Sequence, residues 1–292
     1  MSNFGEKLKT LRENKNLTQK KLANSLNIGQ TTIANYEKNI RFPNLEILIS
    51  IADFFEVSID FLVGRQNKYN NYFNDTIYSI EELKDIYFDN IIEGNIKNAY
   101  NSLLYLVEKN YSLKQIYCNI IEPSLIKIGH LWETGKLSVG YEHYFSEVTK
   151  DIMSQLKLKY QISHINIYNS IFICPNGEQH TLGLKMIHDI LEQEGWNTYF
   201  LGSNIPIDSI LNIIKEKEIE FVFISTTMDY NINSTKTLIS SLKNSNIKRN
   251  IKYIVGGKAF NKNNNLSEYV DADIFISGCD ILISKINKLI YK

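Results

Sequence analysis

The sequence predicts a multidomain chain: a small all-α domain, an all-α four-helix bundle, and an α/β domain built on a parallel, doubly wound sheet. Three observations lead there. Up to Gly64, short apolar stripes at helical spacing are separated by tight turns. From about Ile77 to Tyr160, amphipathic helices follow one another without a strand pattern. From Ser170 onward, short apolar runs alternate with helices. The implied boundaries are 1–64 for the first domain, 65–76 for a linker, 77–162 for the bundle and 168–292 for the sheet domain. A chain of 292 residues can bury more than one core, and 43% hydrophobic with 22% charged residues excludes disordered, collagen-like and small disulfide-stapled classes.

In the first domain Leu8 and Leu11 mark one apolar face. Thr18 caps a second helix carrying Leu22, Ala23 and Leu26, and Gly29 or Gln30 opens a third with Ile33 and Tyr36. Pro43 stands where a fourth can start, and Leu45, Leu48, Ile49 and Ala52 follow at helical spacing. Residues 65–76 are polar, Asn-rich and aperiodic, as a linker should be. Pro123, Gly129, Gly135 and Gly140 punctuate the bundle, with Ser138 placed to cap its last helix. The strand candidates SIFIC, NTYFLG, FVFIST, YIVGG and DIFISG, each followed by helix or loop, predict the flavodoxin-like variant of the Rossmann-type architecture.

Charge and cysteine usage narrow the function. Acids and bases balance at 32 each, yet residues 1–41 hold eight basic side chains (Lys7, Lys9, Arg12, Lys15, Lys20, Lys21, Lys38, Arg41) against Glu6, Glu13 and Glu37. A basic end on a neutral chain fits a nucleic-acid reader, although a solvated helical surface has the same composition. Cys118, Cys174 and Cys279 are far apart and form no CxxC, so neither a disulfide framework nor a zinc site is expected. No apolar stretch follows the first residues and no run approaches the roughly 20 residues of a membrane span, so the expectation is a soluble, cytoplasmic protein without a membrane partner. No Ser-His-Asp set, HExxH helix or paired catalytic carboxylates emerge, and the protein is expected not to be an enzyme.

The stretch LTQKKLANSLNIGQTTIANYEKNIRFPNLEILISIADFFEVSIDFLVG resembles the helix-turn-helix of the Cro and XRE repressor family. Gln19 opens the first helix of the motif, Ala23 is the small residue where the helices touch, and Leu22 and Ile33 seal the pair. The resemblance implies a second helix in the major groove of a double-stranded DNA operator. Gln30, Thr31 and Asn35 are then the base readers, and Gln19, Lys38 and Arg41 the phosphate contacts.

The most informative later segment is CPNGEQHTLG, residues 174–183, between the first strand and first helix of the sheet domain. His180 stands at the carboxyl edge where such sheets bind ligands, Glu178 can hold its other ring nitrogen, and Gly183 leaves room for close approach. From the residues alone a satisfied loop histidine is an equal alternative. The ExHxxG segment is similar to the DxHxxG signature of cobalamin-binding domains, with Glu in place of Asp. That resemblance implies His180 as the lower axial ligand of cobalt, and Ser225, Thr227, Gly256 and Gly257 around the nucleotide tail. His164 and His188 are expected to be solvated bystanders.

The bundle carries a second resemblance. Trp132 ends one helix, Thr134-Gly135 turns the chain, and Glu142-His143 fall in the first turns of the next. This W-(x9)-EH arrangement is similar to the upper-face cap of light-responsive, adenosylcobalamin-dependent repressors of the CarH type. The resemblance implies a cobalamin-dependent regulator, with adenosylcobalamin as the first choice and methyl- or hydroxocobalamin as alternatives. It also implies a photoreceptor and repressor acting as a homo-oligomer, dimer or tetramer. Two departures stand out. Glu133 replaces the histidine that follows the tryptophan in that family, leaving His130 or Glu133 as candidate upper ligands, and the DNA reader is XRE-like where the family usually carries a MerR-type module. The alternatives are a corrinoid carrier of a methyltransferase system and a sensor of another tetrapyrrole.

Overall fold

Leu8, Leu22, Ile33, Ile51 and Leu62 have no solvent exposure and draw five short helices around one core. These are α1 (Phe4–Asn14), α2 (Gln19–Ser25), α3 (Gln30–Glu37), α4 (Leu45–Phe55) and α5 (Ile59–Val63). The computed structural model describes residues 4–55, 57, 59–63, 77–161, 168–247, 250–262 and 265–290; Gly64, the 65–76 linker and His164 lie outside them. The chain divides into two units, Met1–Ile77 and Tyr78–Lys292.

In the first unit the Thr18 hydroxyl accepts from the Lys21 amide at 3.2 Å and Gly29 caps α3. Helix α4 opens two residues after Pro43, capped by Asn44, whose side-chain oxygen accepts from the Ile47 amide at 3.0 Å. Its buried stripe is Leu48, Ile51, Ala52 and Phe55, while Leu45 and Ile49 are exposed. The expected stripe was misplaced because LEILISIADFF is apolar almost all round. Periodicity leaves its inward face undetermined, and only the packed neighbours choose it. Arg12 is not a surface charge: it is buried and grips Glu37 through two nitrogens, at 2.6 and 3.0 Å.

The second unit begins with α6 (Ile80–Ile92), closed by a reciprocal Ser79–Glu82 capping box, and α7 (Ile96–Glu108). A third rod runs through α8 (Leu113–Ile116), a π-helical segment (Tyr117–Ile121) and α9 (Glu122–Glu133); α10 (Val139–Lys157) completes the bundle. Ser138 stands before α10, but its hydroxyl makes no capping bond. Tyr87, Tyr117 and Phe145 fill the bundle interior.

The sheet has strands β1 (Asn169–Ile173), β2 (Asn197–Gly202), β3 (Phe221–Ser225), β4 (Lys252–Gly256) and β5 (Ile274–Ile276), all parallel, in the order β2-β1-β3-β4-β5. Helices α11 (Leu182–Gln193), α12 (Ile207–Glu216), α13 (Ile232–Lys243), α14 (Leu266–Tyr269) and α15 (Leu282–Ile290) connect and follow the strands. The chain leaves β1 for β2 on one side and returns to β3 on the other. That reversal opens a crevice beyond the carboxyl ends of β1 and β3.

Two further expectations fail in this unit. Cys118 of the π segment and Cys279, just after β5, are joined by a disulfide, their Cα atoms 5.9 Å apart. Their sequence separation of 161 residues hides this, because folding alone brings the bundle against the sheet domain. His188 is buried, its Nδ1 2.9 Å from Asp189 and its Nε2 3.1 Å from the Thr198 hydroxyl. Its ring packs edge-on against Phe172 and Phe200 of the sheet, while the neighbouring Asp189 meets the bundle.

Candidate functional site

The loop after β1 turns at Gly177 and sends Glu178 inward and His180 outward. Glu178 has no solvent exposure. One carboxylate oxygen accepts from the His180 amide at 3.1 Å and lies 2.6 Å from His180 Nδ1. The other accepts from the Thr227 amide (2.9 Å), the Met228 amide (3.0 Å) and Asn231 Nδ2 (3.1 Å). Burial pushes the Glu178 carboxyl up, but the bonds from His180, Met228 and Asn231 outweigh it and hold the group at about 2. An ionised carboxylate only accepts, so Nδ1 carries a proton and Nε2 is the ring nitrogen left to face the crevice. Among the described residues no side chain or amide bonds Nε2, and 43% of the His180 side chain is exposed.

The rest of the crevice comes from three other loops. Ser225 closes β3 and is buried; Thr227 contributes its amide to Glu178. A side chain at Gly256 would meet the Ile276 carbonyl at 2.9 Å, and one at Gly257, where φ is +100°, the Thr226 carbonyl at 2.3 Å. Both glycines are therefore demanded by the sheet's own backbone packing, whatever else they touch. At Gly183 an added Cβ would have nothing within 4 Å, so this first turn of α11 faces open space.

Across the crevice stands the end of the bundle. Trp132 is 37% exposed on the last turn of α9. On α10 the Glu142 side chain is largely covered, accepting from the Ser146 hydroxyl at 2.9 Å and lying 3.5 Å from Nδ1 of the exposed His143. Glu133 pairs with Lys258, which follows Gly256-Gly257, so the tip of α9 is tied to the sheet domain. His130 is exposed one turn earlier. The two sides of the crevice feel each other. Glu178 raises the proton affinity of His180 most, against its burial; Glu142 adds to the rise and Lys258 opposes it.

Sequence reasoning missed what braces these sides. Asp189 of α11, fully buried, accepts from Lys185 Nζ (2.6 Å), Lys157 Nζ (3.3 Å) and the Tyr117 hydroxyl (3.1 Å). Lys157 and Tyr117 belong to the bundle, so one carboxylate ties the helix behind His180 to the cap. Burial opposes its ionisation, but His188 and the two lysines prevail and hold Asp189 at about 2. A His-Asp pair on an amphipathic helix carries no sequence signal of this role.

In the first unit Gln30 and Thr31 are exposed on the first turn of α3, Asn35 is half-buried, and Lys38 and Arg41 are exposed beyond its end. Gln19 donates its side-chain nitrogen to Glu37 at 2.8 Å, inside the Arg12 pair. The structure thus leaves Gln30, Thr31, Lys38 and Arg41 exposed in and just beyond α3, while Gln19 braces α2 against α3.

A five-helix unit followed by a helical bundle and a parallel sheet with a braced histidine at its crevice defines a class: a helix-turn-helix module carried with a cofactor-binding fold. Family models divide the chain the same way, as a helix-turn-helix over residues 8–62, a B12 binding domain over 83–157 and a second B12 binding domain over 168–282. The chain is 38% identical over 87 residues to the HTH-type transcriptional regulator ImmR of Bacillus subtilis, 28% of this chain and 68% of that one. It is 21% identical over 182 residues to dimethylamine corrinoid protein 1 of Methanosarcina acetivorans, 59% of this chain and 82% of that one. The fold of the Methanosarcina barkeri monomethylamine corrinoid protein superposes with a TM-score of 0.63 at 14% identity, over 72% of this chain and all of that one. The chain belongs to the HTH-type transcriptional regulators, and is one in which the helix-turn-helix is followed by two B12-binding domains.

The crevice fits a corrinoid. It presents an imidazole nitrogen, a suitable ligand for a first-row metal such as cobalt, fixed by a buried carboxylate, with open space at Gly183. No helix among the described residues is long and apolar enough to cross a membrane.

Proposed function

We propose that this chain is a cytoplasmic transcriptional repressor that binds cobalamin and changes its assembly on DNA according to the cobalt upper ligand. The observation that carries the reading is the Glu178–His180 pair, a ligand held ready at the switch point of the sheet. Bound cobalamin supplies a cobalt ion whose upper substituent varies with its chemical form and, for adenosylcobalamin, is lost in light. His180 would hold the cobalt, and the 225–227 and 256–257 loop ends would receive the cofactor's tail. Trp132, Glu142 and His143 would cover its variable substituent, whose size and charge would then act on the end of α9 and the start of α10. A signal requires unequal affinity of two assembly states for two cofactor forms. An even-numbered oligomer provides those states, since Cro-type readers bind paired half-sites about one helical turn apart.

The test combines spectra with DNA binding. Purified protein supplied with adenosyl-, methyl- and hydroxocobalamin should give a corrin spectrum with histidine below the cobalt. Operator affinity or oligomer size should differ between forms and after illumination. Gln30→Ala and Asn35→Ala should each weaken specific DNA binding by about 1–3 kcal/mol without altering the cobalamin spectrum. A specific observation favours one rival: the second unit's fold covers the whole of a corrinoid protein. A carrier of methyl groups would show the same corrin spectrum, with no operator and no dependence of assembly on the upper ligand.

A further inference from the structure

The root of α9 is attached to the sheet domain by a bond that the cofactor reading does not use. Cys118 is half-buried in the π-helical segment that leads into α9; Cys279 is 2% exposed in the loop after β5. Their Cα separation of 5.9 Å lies in the range a disulfide spans without backbone movement. Glu122 Oε2 lies 3.1 Å from Cys279 Sγ, and burial together with the Asp280 charge pushes the Glu122 carboxyl up. Two sulfurs and a proton acceptor thus meet where the bundle touches the sheet domain. Trp132 follows Cys118 by about 14 residues, roughly 21 Å of helix. At that far end Glu133 pairs with Lys258. The cap helix is therefore tied to the sheet domain at both ends, covalently at one.

We propose that Cys118 and Cys279 are a reversible thiol-oxidation site, a staple that sets how freely the cap parts from the sheet domain and so how fast cofactor is exchanged. A DNA-binding protein works where thiols are kept reduced, and disulfides formed there are transient and redox-sensing. The oxidant is a low-molecular-weight disulfide, RSSR. The half-exposed Cys118 gives its proton to solvent and attacks RSSR as thiolate, forming a mixed disulfide; the departing RS⁻ takes a proton back from solvent. Glu122 then accepts the Cys279 proton, and the Cys279 thiolate attacks Cys118 Sγ, closing the protein disulfide and expelling a second RS⁻, which takes the proton from Glu122. Two protein thiols and one RSSR give one protein disulfide and two RSH.

The consequence for cofactor exchange rests on the cobalamin reading; the thiol chemistry does not. The experiment equilibrates full-length protein with reduced or oxidised glutathione, removes the glutathione, counts alkylated thiols by intact mass after denaturation, and follows release of bound hydroxocobalamin. All three cysteines should be alkylated in the first buffer and Cys174 alone in the second. Release should be about tenfold slower in the second, as expected if a cross-link restrains the open state. Cys118→Ser should release at the fast rate in both buffers, and Cys174→Ala should behave as wild type. Since the wild-type comparison needs no substitution, a misfolded Cys118→Ser leaves the test intact. Equal thiol counts, equal release rates, or stoichiometric zinc on the reduced protein that blocks oxidation would overturn the proposal, the last making the trio a metal site. Failure to take up cobalamin in either buffer would refute the cofactor reading and leave the thiol count to decide the staple.

Discussion

His180 is held by a carboxylate with no solvent exposure that receives five donors, whereas His143, across the crevice, leans on Glu142 alone at 3.5 Å with 71% of its side chain exposed. The lower side is assembled before any ligand arrives: the tautomer, ring plane and free nitrogen of His180 follow from Glu178. The upper rim is built differently, from the exposed ends of two helices, one of them tied to the sheet domain by the Glu133–Lys258 pair. A site divided in this way has a rigid half, fixed by buried bonds, and a rim reached by solvent.

The largest effect expected is at the rigid half. His180→Ala should abolish cobalamin retention or leave a spectrum with no protein ligand below the cobalt; a wild-type spectrum would remove the assignment. Glu178→Gln, which keeps the shape but not the charge, should cost about 10–100-fold in affinity, as loss of an orienting partner does at other metal sites.

Acid should attack the same half. Glu178 and Asp189 both sit at about 2, below the ordinary carboxylate value near 4. A depressed carboxylate stabilises the fold above its unfolded value, and that contribution is lost as pH falls through the folded one. Stability of the second unit should therefore decline between about pH 4 and pH 2. Asp189→Asn should lower stability at neutral pH and flatten this slope in thermal unfolding. An unchanged slope would deny the Asp189 network its bracing role.

Substitutions at the rim should act more gently and more selectively. Trp132→Ala should weaken adenosylcobalamin by about tenfold while leaving hydroxocobalamin nearly unchanged, since an aromatic cover touches only the bulky upper group. Equal losses for both forms would make Trp132 a general packing residue. The smallest effect concerns light. Glu133 is engaged by Lys258, so after illumination the upper position should fall to His130 or His143, and one of His130→Ala and His143→Ala should shift the spectrum of the product. Identical products in all three proteins would make this a sensor of the chemical upper ligand and not of light.

Legibility in the sequence followed the range of the interactions. The strands of the sheet, the caps at Thr18 and Gly29, and the His180 loop on a strand-to-helix edge were readable because each is set by residues within one or two turns of chain. The α4 stripe was not, since an apolar helix offers several faces. Nor was His188, whose ring is buried against Phe172 and Phe200 of the sheet, contacts that the spacing along α11 does not reveal.

By itself the sequence determined the order of domains, the parallel sheet, the place of the His180 loop on it and the short helices of the first unit, all consequences of local periodicity and motif spacing. The tertiary structure alone decided the Arg12–Glu37 pair, the Asp189 brace, the Glu133–Lys258 tie and the Cys118–Cys279 bond. Each joins side chains far apart in the sequence, whose partners exist only after apolar burial has brought separate helices and strands together. Where such a partner is a buried charge, as at Glu37 and Asp189, leaving it unpaired would be costly, and the fold surrounds it with donors.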